Sequence, residues 1–202
     1  GEDGANFDCY NVLYTTVVNE DGVEAAFALL RKEYQDSAYA KAQCHQLTHV
    51  IGRAAAQKLP SGVKAYGAGD GFCWSGYYHG VIEAVIADIG YVNLDDNLHS
   101  ICGDIADQRK YSFDHYNCVH GLGHGIMAVT QNELFESLER CNILKEHWDA
   151  ASCWSGAFME NIMVDNRNHF TSYVNPKDPL YPCNAVDVKY KETCYLMQTS
   201  YI

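Results

Sequence analysis

The sequence predicts an all-α fold: an array of helical hairpins, either an α-solenoid or a compact α/α arrangement, stapled by disulfides. Three observations predict it. Apolar residues recur at three- and four-residue steps rather than alternating. Five segments open with Cys and continue as small-residue, apolar stretches. Nine cysteines are dispersed over the 202 residues without one C-x-x-C pair.

Val23, Ala26, Phe27 and Leu30 form the stripe of a first helix, Gly22 to Glu33, which we class as an outer A helix. An inner B helix follows from Cys44-His45-Gln46-Leu47-Thr48-His49, and a second from Cys73-Trp74-Ser75-Gly76-Tyr77-Tyr78-His79. Asp95 starts a helix that ends near Cys102. The third B helix opens at Cys118-Val119-His120-Gly121-Leu122-Gly123-His124. Asn132 caps an A helix ending at Cys141, before Cys153-Trp154-Ser155-Gly156 begins the fourth B helix. Three of the four prolines fall in 176–182 and mark a loop, after which Cys194-Tyr195-Leu196-Met197 begins a fifth. The leading cysteines are 29, 45, 35 and 41 residues apart, and Cys-Trp-Ser-Gly occurs twice. In period alone this resembles tetratricopeptide arrays. No functional residue carries over.

Cys102, Cys141 and Cys183 precede Cys118, Cys153 and Cys194 by 16, 12 and 11 residues. A helix ending in Cys, a turn and a helix opening with Cys predict bridges 102–118, 141–153 and 183–194. Pairing among Cys9, Cys44 and Cys73 stays open, and the odd count leaves at least one thiol outside the internal bridges. Such cysteines point to a secreted, extracellular or periplasmic location. Residues 1–202 are expected to form a single domain of four to five helix pairs; Gly1-Glu2-Asp3-Gly4 reads as a trimmed start, and beyond Ile202 the chain either ends on a capping helix or continues.

Lys and Arg number 14 against 26 Asp and Glu, a net charge of −12 that disfavours nucleic acid and anionic membrane surfaces. No apolar run is long enough for a membrane span. Walker, dinucleotide-binding, H-E-x-x-H and G-x-S-x-G patterns are missing. Ser75 and Ser155 are expected to cap B helices rather than act as nucleophiles.

The functional signal is in the histidines. His45 and His49, then His120 and His124, are i,i+4 pairs on B helices, and His79 with Glu83 forms a third such pair. Residues four apart share a helix face, with Cβ atoms about 5–6 Å apart, so one helix can offer two ligands to one ion. Glu160 lies at a similar depth on the fourth B helix. We therefore expect a His-rich transition-metal site on the inner face. Its ligands are His45, His49, His120 and His124, with His79 as a fifth, and Glu83 and Glu160 serve as ligands or general bases. Zinc or copper suits imidazole best, and iron is the alternative. Three functions follow: metal binding, a metal-dependent hydrolase or oxidoreductase on the same site, or a metal-free assembly module forming oligomers or filaments. His99, His115, His147 and His169 are expected at the solvated surface.

Overall fold

A computed structural model describes residues 2–105, 109, 111–163 and 171–201, with backbone alone for residues 2–5. The described residues are helical with no strand, in the order α1 (Glu2–Asp21), α2 (Val23–Asp36), α3 (Ala38–Ala42), α4 (Cys44–Lys58), α5 (Gly62–Tyr66), α6 (Gly76–Ile105), α7 (Phe113–Val129), α8 (Leu134–Cys141), α9 (His147–Ile162) and α10 (Val188–Gln198). The disulfide-stapled, all-α helix-hairpin fold expected from the sequence is the fold observed.

Local chemistry sets the boundaries. Gly22, at φ 98°, separates α1 from α2, whose buried residues Val23, Ala26, Phe27 and Leu30 are the expected stripe. Ser37, Ser61 and Ser112 cap α3, α5 and α7 by accepting from Ala40, Lys64 and His115 amides. Gly90 breaks α6 with a left-handed φ of 75°, a conformation open to glycine at little cost. In α8 the apolar face is Leu134, Leu138 and Cys141, all buried.

The inner helices form a row. α6 packs most extensively on α7, α4 on α6 and α7 on α9, with α1 against α4 and α10 against α9 at the ends. Their buried apolar residues make one cluster reaching from Tyr14 to Cys194. Three cysteine pairs, Cys102–Cys118, Cys141–Cys153 and Cys183–Cys194, stand where hairpin spacing puts them. The fourth, Cys44–Cys73, resolves the pairing left open, and Cys9 is free and exposed. Closing the 29-residue loop between Cys44 and Cys73 stabilises the fold by roughly 3–4 kcal/mol on the chain-entropy model.

Two helix pairs touch backbone to backbone. A Cβ on Gly80 would run into the His49 carbonyl, and one on Gly156 into the His120 carbonyl. Gly52 faces the Tyr77 carbonyl and the Val81 amide, just as Gly123 faces the Cys153 carbonyl and the Ala157 amide. The α4–α6 and α7–α9 pairs therefore share one packing register, in which Tyr77 corresponds to Cys153. Gly156→Ala cannot be absorbed by a flexible side chain, because the obstacle is main chain. We expect a loss of about 1–3 kcal/mol, measured as a lower denaturant midpoint. An unchanged midpoint would mean that α7 and α9 do not meet at main-chain distance.

Candidate metal centre

Because α4, α6 and α7 lie side by side at glycine-width spacing, their histidines meet. His79 on α6 is the hub. Its ring centroid lies 4.7 Å from that of His120, 4.9 Å from His124, and 5.4 Å from both His45 and His49. His49 on α4 and His124 on α7 approach to 5.1 Å in front of it. His49, His79, His120 and His124 are buried, and His45 is half-buried. All five predicted ligands thus converge. Among the described residues, three groups can each bring one ligand atom apiece to within 4.8 Å of the others: His45–His49–His79, His79–His120–His124, and His49–Glu83–His124.

Hydrogen-bond matching fixes which nitrogens face inward. His45 Nδ1 lies 2.9 Å from the Cys73 carbonyl, which can only accept, so Nδ1 carries the proton. His49 Nδ1 donates to Glu83 at 2.5 Å, and His124 Nδ1 to Glu160 at 2.5 Å. His120 Nδ1 lies 2.7 Å from the Ser155 hydroxyl, whose proton goes to the Ser152 carbonyl, so Nδ1 is again the donor. In each neutral ring the lone pair is then on Nε2. Those Nε2 atoms face one another in pairs, 3.1 Å apart for His45 and His49 and 3.2 Å apart for His120 and His124. His79 points Nε2 at the Asn117 side-chain oxygen at 3.4 Å, while its buried Nδ1 has no hydrogen-bond partner. The histidines therefore gather in two triads that share His79, with no N–H supplied between the facing Nε2 atoms. Two acceptors about 3 Å apart repel unless a proton or cation lies between them. Nitrogens bound to one ion at about 2.0–2.1 Å, at angles of 90–110°, are themselves about 2.9–3.4 Å apart, which matches both pairs.

A proton is the poorer occupant. Burial, then the charge of His49, pushes the His45 imidazole down to about 3. Burial, then the other imidazoles, holds His79 and His120 well below the ordinary histidine range. Burial alone would raise the Glu83 carboxyl. His49 and Arg53 reverse that and hold it below the usual carboxylate range, with Arg53 donating to its second oxygen at 2.6 Å. Glu83 and Glu160 each hold a histidine from behind, the arrangement in which an outer carboxylate fixes the tautomer and orientation of a metal-binding imidazole.

No family model, no curated protein and no solved structure matches this chain.

Some expectations need correction. Ser155 does not cap a helix: it sits inside α9, buried, and holds His120. Cys73 does not begin a B helix. Residues 73, 74 and 75 take left-handed φ values of 54°, 56° and 66°, and α6 starts at Gly76. His115 is not solvated, since its Nε2 bonds Asp149 at 3.0 Å and its ring stacks on Trp148. His99 is exposed on α6, His147 begins α9 beside Trp154, and His169 lies outside the described residues. The part played at the site by Ser155, Asn117 and the Cys73 carbonyl was not foreseen from the sequence. Only the recurrence of Ser155 within the repeated tetrapeptide marked it, and nothing marked the other two.

Proposed function

We propose that this protein binds a transition metal through His45, His49, His79, His120 and His124, with zinc or copper preferred and iron the alternative. The observation that carries the reading is the meeting of five imidazoles in two triads that share His79, with their other ring nitrogens mostly tied outward. Uncharged nitrogen donors with no thiolate suit borderline divalent cations. Four cysteine pairs at disulfide distance support an oxidising, secreted or periplasmic setting, where an imidazole site is not itself oxidised. Among the described residues no helix is long and apolar enough to cross a membrane.

We read Glu83 and Glu160 first as groups that orient His49 and His124. A metal-dependent reaction on the same site remains the second reading, favoured by an open cleft against the cluster, lined by Cys73, Tyr116 and Asn117. In that reading a metal held by the histidines would supply an activated water, and Glu83 and Glu160 would raise the basicity of the imidazoles they hold. Assembly through the exposed Cys9 is compatible with both.

Elemental analysis of protein purified without a polyhistidine tag or chelator tests the proposal. One or two equivalents of a single metal per chain are expected. No metal, and no uptake on titration with zinc or copper, would make the histidines packing residues. Glu83→Gln keeps the shape but weakens the carboxylate's hold on His49, and should lower metal affinity by about 10–100-fold. An unchanged affinity would remove Glu83 from the site.

A further inference from the structure

Beside the cluster lies an open cleft of about 600 Å³, lined by Tyr34, Gly71, Cys73, Trp74, Ser75, Phe113, Tyr116 and Asn117. That size suits a small organic molecule. Its walls belong to the metal centre. The Cys73 carbonyl accepts from His45, the Asn117 side chain holds His79, and the Tyr116 hydroxyl lies 3.4 Å from His120 Nδ1. One layer of residues therefore separates the cleft from three of the five histidines.

The strongest sign of use is Trp74. The chain contains Cys-Trp-Ser-Gly twice. In α9 the tetrapeptide is helical, and Trp154 is buried with its indole N–H donating to Asn142 at 3.1 Å. In the first copy the backbone turns left-handed over three successive non-glycine residues, and Trp74 is 75 % exposed at the cleft. Each such residue costs free energy that the surroundings must hold in place. Here the Cys44–Cys73 bridge and the His45 contact hold it. The same sequence can bury its tryptophan in a helix, so the exposed ring follows from its setting and not from the tetrapeptide itself.

We propose that the cleft binds a small, uncharged, planar aromatic molecule, stacked on Trp74, and that its binding is coupled to metal binding at the histidines. This rests on the metal reading above. The class follows from the lining. Trp74, Tyr34, Phe113 and Tyr116 supply flat faces, which prefer offset or edge contacts with another ring. Among the described residues no charged side chain lines the cleft, so an ion would lose its hydration without a partner. Ser75, Asn117 and two tyrosine hydroxyls allow a hydrogen bond or two, too few for a saccharide. Coupling follows because a ligand pressing on residues 73–75 shifts the carbonyl that fixes the His45 tautomer, and linkage requires metal to act back equally on the ligand.

The test is calorimetric titration of the full chain with 4-methylphenol, cyclohexanol, benzoate and methyl glucoside, with and without one equivalent of zinc. Saturable binding of 4-methylphenol is expected, at least ten-fold tighter than the other three and changed about five-fold or more by zinc. Trp74→Ala should abolish it while the protein still takes up zinc, because the Cys73 main-chain carbonyl and not the indole holds His45. Tyr116→Phe, which keeps the ring but loses the hydroxyl near His120, should bind 4-methylphenol with a smaller response to zinc. Binding unaffected by Trp74→Ala, preference for glucoside or benzoate, or no binding either with or without zinc would overturn the proposal. An affinity identical with and without zinc, in protein shown to hold zinc, would overturn the coupling. Binding of 4-methylphenol by a chain that takes up no metal would sink the metal reading while leaving the cleft standing.

Discussion

His79→Leu should yield a protein no less stable than wild type when metal-free, yet one whose metal affinity falls by more than about 100-fold. The two halves of that result have different causes. His79 is 3 % exposed, and its Nδ1 has no hydrogen-bond partner; its other nitrogen has only a 3.4 Å contact to Asn117. An unsatisfied buried polar atom costs about 1–3 kcal/mol, and leucine of similar bulk removes that cost together with one lone pair from the cluster. The lost contact to Asn117 is weak, and Asn117 keeps its donation to the Phe113 carbonyl. Metal binding goes the other way. His79 belongs to both histidine triads, so its loss removes a ligand from each. Outer groups that merely orient ligands are worth about 10–100-fold in affinity, and a shared ligand must be worth more. A core histidine gives the opposite pattern, with stability lost and metal content unchanged. Measuring chemical denaturation in chelator alongside metal titration separates the two.

The same logic shows which parts of the site were legible in the sequence. A helix advances 100° per residue, so His45 with His49 and His120 with His124 must share faces whatever the tertiary fold. Bridges 102–118, 141–153 and 183–194 were readable because each closes one hairpin. Cys44–Cys73 was not, because its 29-residue span includes α5 and depends on how α4 and α6 pack. The repeated tetrapeptide pointed to the wrong equivalence. It aligns Cys73 with Cys153, whereas the glycine contacts align Tyr77 with Cys153, one helical turn further on. That offset leaves the first copy outside α6 as a left-handed turn and places the second inside α9, where Ser155 reaches His120 instead of capping a helix. Nothing in the local pattern fixes such a shift. It is decided by which glycine lies against which carbonyl.

Acid should unfold the metal-free protein unusually steeply, starting just below neutrality, and bound metal should move the transition to lower pH. His45, His79 and His120 all have folded-state pKa values below the ordinary 6.5, with His45 near 3, because burial disfavours the imidazolium. In the unfolded chain all three protonate near 6.5. Above that pH neither state takes up these protons, so the stability they allow is fully present. Below it the unfolded state binds protons that the folded state refuses, and stability falls until the folded pKa of each group is reached. One proton contributes about 1.4 kcal/mol per pH unit, so three give a slope of about 4 kcal/mol per pH unit beneath 6.5. A domain with 5–15 kcal/mol in hand is exhausted within a few pH units at that slope. The depressed Glu83 acts in the same direction only further down, once the pH falls through the ordinary carboxylate range. Metal competes with protons for the same lone pairs, and because it binds the folded state preferentially it adds stability that grows with its concentration. Denaturant midpoints of the apo-protein between pH 7.5 and 4.5 test the slope, and repeating the series with zinc tests the shift. A slope below about 1.4 kcal/mol per pH unit would mean that the imidazoles are already protonated in the folded chain or open to solvent, and the inward-facing lone pairs would no longer be there to hold a metal.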